Sequence, residues 1–409
     1  MTKKTVTPKM YALATIIFFV ILALLILTNL VDSDPNAEPK RRRRESSRGR
    51  RIAIGSISTV LAVILIVVLV SSGSQTLTLN VYNWGEYISD GSDDSLDTIK
   101  AFEQWYYETY GVKVKVNYST YASNEDMYAK LSSGAVSFDV VIPSDYMIAR
   151  MASDNIPNYQ YIDESFRGLY YDPDDMYSIP YTYGVIGVIY NANVVDEADA
   201  KGWELMWNDK YAGDILQFNN SRDAFATAQY MLGLNVNSDD HSEWEQALAK
   251  LKEQRPLVKS YVMDEIYNMM ESGEAAIGAY YAGDYFTMLD AEADDVDLRF
   301  YYPERTNYFI DAMCIPSCCQ NKELAEIFIN YMLSAEPAIA NAEYIYYASP
   351  NSLVYEDEGY QEDLGEEAME ILYPEIEDFS ALYNEYAYRN LDSDMLDFVN
   401  TLWETLKIS

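Results

Sequence analysis

Carboxylates and aromatic rings occur together where the predicted strands of this chain end. These positions hold Trp84, Glu86, Tyr87, Ser144, Tyr146, Asp223, Tyr281 and Asp284. A carboxylate beside a ring suits an alkylammonium ion, because the acid pairs with the charge while the ring face attracts the cation and covers its methylenes. Core packing is the alternative for any single ring, and a solvated surface is the alternative for any single acid. Taken together, the positions favour a site for an organic cation.

Composition and motifs exclude several other chemistries. The chain has one histidine, His241, and three cysteines, Cys314, Cys318 and Cys319. These are too few for a histidine-rich zinc site or for a cysteine cage around a metal. The sequence contains no P-loop, no Gly-x-Ser-x-Gly nucleophile motif and no dinucleotide-binding fingerprint. We therefore expect no cofactor, no metal and no catalytic residue.

Charge is distributed unevenly along the 409 residues. Residues 1–74 carry 11 Lys and Arg against 4 Asp and Glu, whereas residues 75–409 carry 18 Lys and Arg against 61 Asp and Glu. The net charges are +7 and −43, respectively. Such an acidic segment repels nucleic acid and anionic lipid headgroups. We expect a cationic partner and no nucleic acid.

Two apolar runs, residues 10–31 and 52–70, contain no charge and approach the roughly 20 residues needed to span a bilayer. Both are predicted to be transmembrane helices. The basic linker between them, within residues 32–51, is expected in the cytoplasm by the positive-inside rule. Residues 75–409 would then face outward at the cell membrane, held by an anchor over residues 52–72. A signal peptide cleaved near residues 72–74 is the alternative interpretation of the second run.

The outward part alternates apolar strands with amphipathic helical segments. Strands are predicted near residues 77–81, 112–116, 138–142, 184–190, 214–218 and 275–281. Helices are predicted near residues 96–106, 127–131, 243–254, 264–272, 324–333 and 395–406. This alternation predicts an α/β fold with parallel sheet, in which ligands bind beyond the carboxyl ends of the strands.

Several motifs together resemble a known family. They are Tyr-Asn-Trp-Gly-Glu-Tyr at residues 82–87, the run at residues 118–131, Val-Ile-Pro-Ser at residues 141–144 and Ser-Pro-Asn at residues 349–351. Through these motifs, residues 77–409 resemble the spermidine/putrescine-binding proteins of polyamine ABC importers. Residues 6–17 are similar to the start of the last transmembrane helix of the permease subunit, so residues 1–31 would correspond to a permease C-terminus.

The resemblance implies a two-lobe periplasmic-binding-protein type II fold whose lobes close on ligand by a hinge motion. The segments that cross between the lobes would lie near Gly184 and Ile310. Lobe 1 would combine residues 76–184 and 310–355, and lobe 2 would combine residues 185–309 and 356–409.

The resemblance also adds three binding residues to those at the strand ends. The full implied set is Trp84, Glu86, Tyr87, Ser144, Tyr146, Asp223, Tyr281, Asp284, Phe309, Asp311 and Tyr347. Asn220 replaces an acid of the spermidine-preferring pattern, and Arg389 stands where a glutamine contacts spermidine. Asp284 belongs to a Tyr-Ala-Gly-Asp run similar to that of putrescine-preferring members. These departures argue against a preference for spermidine.

The function implied is that of a membrane-tethered extracytoplasmic binding component of a polyamine importer, not an enzyme. It would capture putrescine or spermidine by lobe closure and deliver it to ABC permease subunits, with the ATPase supplied by a separate chain. One alternative keeps the fold but changes the ligand to another organic cation, an amino acid or a chelated metal. Two others are a membrane-anchored hydrolase that uses two acids and a surface scaffold for a protein partner.

Overall fold

The computed structural model describes residues 76–92, 94–152, 168–374, 376 and 379–408. All of them belong to the unit Ser74–Ser409. The apolar runs at residues 10–31 and 52–70 and the basic linker between them lie outside the described residues. Within the described ranges, no helix is both long enough and apolar enough to span a bilayer.

Nine strands form the sheet structure of the described ranges. They are β1 Leu77–Trp84, β2 Val114–Tyr121, β3 Val140–Val141, β4 Ser178–Asn191, β5 Ile215–Phe218, β6 Val258–Val262, β7 Ile277–Tyr281, β8 Leu298–Tyr301 and β9 Tyr308–Cys314. Their order is β2-β1-β3-β9-β4-β7-β5-β6, with β8 paired to β4. The strands β1, β2 and β3 are mutually parallel, and so are β5, β6 and β7.

Helices connect and cover these strands. They are α1 Thr98–Tyr110, α2 Asn124–Ser132, α3 Asp145–Ala152, α4 Ser221–Leu232, α5 His241–Gln254, α6 Glu265–Glu271, α7 Ala282–Leu289, α8 Lys322–Met332, α9 Ala335–Ile345, α10 Ser352–Tyr355, α11 Glu358–Leu364, α12 Glu366–Leu372, α13 Phe379–Tyr386 and α14 Ser393–Ile408. The alternation of strands and helices confirms the predicted α/β class.

Two antiparallel strands, β4 and β9, join the two parallel groups. The first part of β4 pairs with β9, from Ser178 opposite Cys314 to Val185 opposite Tyr308. The second part of β4 pairs with β7 and β8. The sheet is therefore mixed rather than parallel throughout, and the strand predicted at residues 184–190 is longer and antiparallel to its neighbours. Apolar alternation does not encode direction, because the same strand pattern can pair in either orientation.

The strand predicted at residues 138–142 is reduced to the pair Val140–Val141. Asp139 interrupts the ladder, because its carboxylate accepts the backbone N–H of Asn80 at 2.8 Å in place of a carbonyl. The backbone N–H of Asp139 donates to the Asn80 carbonyl at 2.8 Å. The chain therefore stays beside β1 before the two paired residues and enters α3 after three further residues.

Buried aromatic side chains anchor the helices that surround the sheet. Phe102 of α1 and Phe328 of α8 are fully buried, and their ring centroids lie 5.0 Å apart. A second buried cluster, which includes Phe225, Trp244 and Val399, packs α14 against α4 and α5. The C-terminal helix thus stabilises α4, the helix whose first turn carries Asp223.

Candidate functional site

Asp311 of β9 lies at the centre of the region that the sequence singled out. It is 4% exposed, and its Oδ2 accepts a 2.7 Å hydrogen bond from the Tyr87 hydroxyl. The Thr182 hydroxyl lies 2.7 Å from the same phenol oxygen and donates to it, because the phenol proton is already engaged. Among the described residues no donor reaches Oδ1 of Asp311. Burial raises the pKa of Asp311 to about 6, and the hydrogen bond from Tyr87 opposes this rise.

Asp284 is held in one orientation through both of its oxygens. It lies half-buried in the first turn of α7. The Tyr267 hydroxyl of α6 donates to Oδ1 at 2.6 Å, and the Tyr347 hydroxyl donates to Oδ2 at 3.0 Å. Burial raises the pKa of Asp284 to about 7, although both hydrogen bonds lower it.

Asp223 is positioned by the start of α4. The side chain of Asn220 caps this helix by accepting the backbone N–H of Asp223 at 2.8 Å. The amide nitrogen of the same cap donates to Oδ2 of Asp223 at 2.6 Å, and the Tyr281 hydroxyl donates to that oxygen at 2.9 Å. The Tyr388 hydroxyl donates to Oδ1 at 2.9 Å. Burial raises the pKa of Asp223, and these hydrogen bonds oppose the rise.

A chain of aromatic rings connects the three carboxylates. The ring centroids of Tyr87 and Tyr347 are 5.2 Å apart, those of Tyr347 and Phe309 are 6.1 Å apart, and those of Phe309 and Tyr281 are 5.4 Å apart. All three pairs are edge-on, an arrangement that aromatic pairs favour. Hydrogen bonds and ring contacts therefore bring seven of the eleven predicted residues into one network. These residues are Tyr87, Asp223, Tyr281, Asp284, Phe309, Asp311 and Tyr347.

Ser144 and Tyr146 border this network at the start of α3. Asn124 donates from its amide nitrogen to the Ser144 hydroxyl at 3.0 Å and to the Tyr146 hydroxyl at 3.1 Å. Tyr146 in turn donates to Glu125 at 3.1 Å. Ser144 also forms an isolated β-bridge with Asp311, so its backbone lies beside the central carboxylate.

Trp84 and Glu86 are less closely connected to the network. Trp84 ends β1 half-buried, with its ring 4.6 Å from that of Tyr121. Its indole N–H has no acceptor among the described residues. Glu86 is exposed and adopts a left-handed backbone with a φ of 47°, which is uncommon for a residue with a side chain. Among the contacts between described residues, none joins Trp84 or Glu86 to the carboxylate network.

Two glycines allow the aromatic rings to approach the backbone. A Cβ atom on Gly283 would lie 2.3 Å from Cδ2 of Tyr347, and a Cβ atom on Gly184 would lie 2.7 Å from Cζ of Phe309. Both distances are far below van der Waals contact. The absence of a side chain at Gly283 therefore permits Tyr347 to reach Asp284.

Several residues of the site were not identified from the sequence. Tyr267 and Tyr388 each donate to one of the carboxylates, yet no spacing distinguishes them among the 38 tyrosines of the chain. Asp145 lies behind the site, where it accepts from the backbone N–H of Ile310 at 3.2 Å and from the Tyr383 hydroxyl. Burial raises the pKa of Asp145 to about 7.

Arg389, by contrast, is directed away from the carboxylates. It is exposed, its guanidinium donates to the Asn384 carbonyl at 3.0 Å, and the same group lies over the ring of Tyr170. The residue of this segment that contacts Asp223 is the neighbouring Tyr388.

The three carboxylates of the network are not neutralised by ion pairs with the described residues. None of the ion pairs in these ranges includes Asp223, Asp284 or Asp311. Arg222 lies two positions after the capping residue of α4, and its charge lowers the pKa of Asp223, but its guanidinium donates to the Val236 carbonyl at 3.0 Å. Burial of unpaired negative charge is unfavourable, which is why the pKa values of these acids are raised. The arrangement is suited to a ligand that brings positive charge and an apolar chain.

Comparison with known proteins agrees with this chemistry. The family described as bacterial extracellular solute-binding protein matches residues 97–366. The spermidine/putrescine-binding periplasmic protein of Salmonella typhimurium is 31% identical over 330 residues, which cover 76% of this chain and 90% of that protein. The chain belongs to the spermidine/putrescine-binding family of bacterial solute-binding proteins.

Other relatives of this solute-binding protein are named for putrescine alone or for spermidine and putrescine together. The putrescine-binding periplasmic protein PotF of Escherichia coli is 26% identical over 302 residues, covering 67% of this chain and 78% of that protein. A solved structure described as a putative spermidine/putrescine ABC transporter from Listeria monocytogenes is 30% identical. It covers 81% of this chain and 99% of its own, with a TM-score of 0.69. The family resemblance and the periplasmic-binding-protein fold inferred from the sequence motifs are therefore confirmed.

Proposed function

We propose that this protein captures a diamine or short polyamine, such as putrescine or spermidine, for an ABC importer. The observation that carries the proposal is the set of three buried or half-buried carboxylates that form no ion pair with any described residue. Each one is oriented by tyrosine hydroxyls, and edge-on rings connect them. An alkylammonium group satisfies such an acid, and ring faces cover the methylenes between two amines.

Capture rather than catalysis follows from the same residues. The acids are held by hydrogen bonds to tyrosines and to an asparagine, and relatives of this chain are named as periplasmic binding proteins for putrescine or for spermidine and putrescine. A ligand that pairs with Asp311 on one side and with Asp284 or Asp223 on the other would bind the closed form more tightly than the open form. This difference in affinity would shift the equilibrium between the two forms towards closure. Uncharged chains of equal length would leave the acids unpaired and should bind poorly.

The two lobes of the binding unit are proposed with the boundaries given by the resemblance. Lobe 1 comprises residues 76–184 and 310–355, and lobe 2 comprises residues 185–309 and 356–409. On this division Asp311 and Tyr347 belong to lobe 1, while Asp223 and Asp284 belong to lobe 2. The 3.0 Å hydrogen bond from Tyr347 to Asp284 would then stabilise the closed form directly. The strands β4 and β9, which pair along their length near the proposed crossings, would form the hinge region.

Membrane attachment is part of the proposal and rests on sequence. Residues 1–31 and 52–72 would each cross the bilayer, with the basic linker at residues 32–51 inside the cell and residues 75–409 outside. The binding unit would deliver its ligand to the permease subunits, and a separate ATPase would supply energy. Protease digestion of intact cells tests this topology, because only an outward binding unit is degraded.

Calorimetry on the full chain in lipid nanodiscs tests ligand binding. Putrescine, cadaverine, spermidine and spermine are titrated into the wild type and into Asp311→Asn. We expect at least one amine to bind, and Asp311→Asn to weaken it about 30-fold or more, since loss of one partner of a buried charge pair costs about 2 to 5 kcal/mol.

Asp290→Asn is the matched control for this substitution. Asp290 also accepts a tyrosine hydroxyl, from Tyr346 at 3.1 Å, but it is exposed. Its replacement should leave the affinity within a factor of two or so of the wild type, as is usual for exposed charges. If no amine binds, or if Asp311→Asn binds as tightly as the control, the proposed function is wrong.

A further inference from the structure

Asp145, the first residue of α3, is a buried carboxylate that is 1% exposed. The backbone N–H of Tyr146 donates to its Oδ1 at 2.6 Å, and the backbone N–H of Ile310 donates to its Oδ2 at 3.2 Å. The Tyr383 hydroxyl also donates to Oδ2. One side chain therefore holds donors from α3, β9 and α13.

An aspartate suits this position because a carboxylate can accept all three hydrogen bonds. Its two oxygens offer about four acceptor sites, whereas asparagine has one acceptor oxygen and an amide group that only donates. Ile310 and Tyr383 are fully buried, so a donor left there without an acceptor would be unfavourable. The donors around Asp145 thus favour a carboxylate over an amide.

The contact with Ile310 fixes one flank of Asp311. On the other flank, the backbone N–H of Ala312 donates to the Pro143 carbonyl at 3.0 Å. Hydrogen bonds therefore hold the β9 backbone on both sides of Asp311, through a main-chain carbonyl on one side and through the Asp145 carboxylate on the other.

Tyr383 holds the Asp145 carboxylate from 238 positions further along the chain. The Tyr383 ring is stacked on two others, with centroid distances of 5.8 Å to Phe379 and 5.7 Å to Tyr170. Because close packing of this kind restricts the movement of a side chain, the Tyr383 hydroxyl is a well-fixed donor. The position of Asp145 consequently depends on α13 as well as on α3.

We propose that Asp145, held by Tyr383, is a positioning residue for the amine site. It fixes the backbone beside Asp311 so that the Asp311 carboxylate meets the ammonium group of the ligand. This inference deepens the proposed function and rests on it. Attraction between two charges weakens as they move apart, so a displaced Asp311 binds an amine less tightly. A direct attraction between Asp145 and the ligand is the competing explanation.

Asp145→Asn tests the proposal on the full chain in lipid nanodiscs. The variant keeps the size of the side chain but has fewer acceptor sites than the surrounding donors require. We expect the affinity for the amine that binds the wild type most tightly to fall about tenfold, the effect of losing one hydrogen bond to a charged group. Equilibrium dialysis with radiolabelled amine measures the dissociation constants into the millimolar range.

Asp139→Asn is the matched control, because Asp139 is also 1% exposed. Its carboxylate likewise accepts three backbone N–H groups, from Asn80 at 2.8 Å, Gln320 at 2.9 Å and Asn321 at 3.2 Å. These groups belong to β1 and to the turn before α8. We expect both variants to unfold at lower temperature, but Asp139→Asn to retain its affinity within a factor of about two. Equal affinity losses in the two variants would overturn the proposal, because lower stability would then explain both.

A double-mutant cycle with Asp311→Asn separates positioning from direct attraction. If Asp145 acts through Asp311, the double variant Asp145→Asn/Asp311→Asn should bind at most about twofold more weakly than Asp311→Asn alone. A direct attraction between Asp145 and the ligand would persist without the Asp311 charge, so the two losses would multiply. Losses that multiply therefore overturn the proposal.

Tyr383→Phe is the milder variant, and it decides the question if Asp145→Asn does not fold. It removes one hydrogen bond from Asp145 but keeps the carboxylate and the stacked ring. We expect a severalfold loss of affinity, and an affinity equal to that of the wild type would overturn the proposal.

Failure of this inference is distinguishable from failure of the proposed function. If the wild type binds none of the amines, the proposed function is wrong and the inference fails with it. If the wild type binds an amine and Asp311→Asn weakens the complex, but Asp145→Asn binds as tightly as the wild type, the inference alone is overturned.

Discussion

The Tyr347 hydroxyl donates a 3.0 Å hydrogen bond to Oδ2 of Asp284, from 63 positions further along the chain. The ring of Tyr347 also lies 5.2 Å from that of Tyr87, which donates to Asp311. One tyrosine therefore orients a carboxylate and supports a second tyrosine that orients another. A substitution of Tyr347 should consequently alter the orientation of both Asp284 and Asp311.

Replacement of Tyr347 by phenylalanine isolates the contribution of its hydroxyl. The ring contacts remain, but Asp284 loses a hydrogen bond that lowers its pKa, so its ionised form becomes less favourable. We expect diamine affinity to fall roughly 10-fold or more, since a hydrogen bond to a charged group contributes about 1.5 to 3 kcal/mol. Calorimetry at pH 7.5 measures the change.

Tyr360→Phe is the control for that substitution. The Tyr360 hydroxyl lies 3.0 Å from the Tyr373 hydroxyl, and neither of these tyrosines belongs to the carboxylate network. Its removal should reduce stability slightly without affecting affinity. Equal affinity losses in both variants would contradict a specific role for Tyr347.

Affinity and stability should respond to pH in opposite directions. Burial raises the pKa of Asp284 to about 7 and that of Asp311 to about 6, while the amines of the ligand stay protonated as lysine does. Diamine affinity should therefore decrease as the pH falls from 8 to 5, because the acids become neutral. The ligand-free protein should gain stability from these groups over the same interval, since the folded state binds protons more readily than the unfolded state.

Asp284→Asn separates this effect from the titration of the many surface acids. The variant should show a weaker increase in thermal midpoint on acidification from pH 8 to pH 5 than the wild type, because it lacks the group whose pKa is about 7. Differential scanning calorimetry without ligand provides the comparison. If the thermal midpoints of the two proteins depend identically on pH, Asp284 is not the source of the increase in stability on acidification.

Gly283→Ala should displace Tyr347 without changing any polar group of the site. A Cβ atom at this position would lie 2.3 Å from the Tyr347 ring, so the ring must move away from Asp284. We expect an affinity loss at least as large as that of Tyr347→Phe, together with about 1 to 3 kcal/mol of destabilisation from overpacking. Gly359→Ala in α11, where the atom nearest to the added Cβ is Oδ1 of the N-cap residue Asp357 at 3.1 Å, should leave the affinity unchanged.

Asn220→Asp should shift the preference among amines. Aspartate retains the N-cap of α4, but it places a second carboxylate where the Asn220 amide now lies 2.6 Å from Asp223. A ligand with an additional amine can neutralise the extra charge, so we expect the ratio of spermidine to putrescine affinity to rise about tenfold, or about 1.4 kcal/mol. Competition titrations of the two amines measure the ratio, with Asn220→Ser as an uncharged cap. An unchanged ratio would mean that this position does not determine ligand length.

The local sequence was sufficient to place most of the elements and many residues of the candidate site. Alternating apolar residues identified β1 and β2. The apolar run that ends at Tyr281 identified β7, and it placed Asp284 just beyond the carboxyl end of that strand. The positions of these strands follow from the spacing of apolar residues over a few positions, which is a property of the local segment and does not depend on the rest of the chain. Family motifs then added residues such as Asp311, which no local pattern distinguishes.

Strand direction and the partners of the carboxylates were decided only by the tertiary structure. Tyr388 contacts Asp223 across 165 positions, and Tyr383 contacts Asp145 across 238. Neither pair has a signature in local spacing, because residues so far apart meet only after the strand order and the packing of α13 against β9 are established. Burial of the acids, and with it the rise in their pKa values, likewise depends on neighbours from several distant elements. Side-chain chemistry therefore indicates which residues are candidates for a cation site, and packing determines which of them lie together.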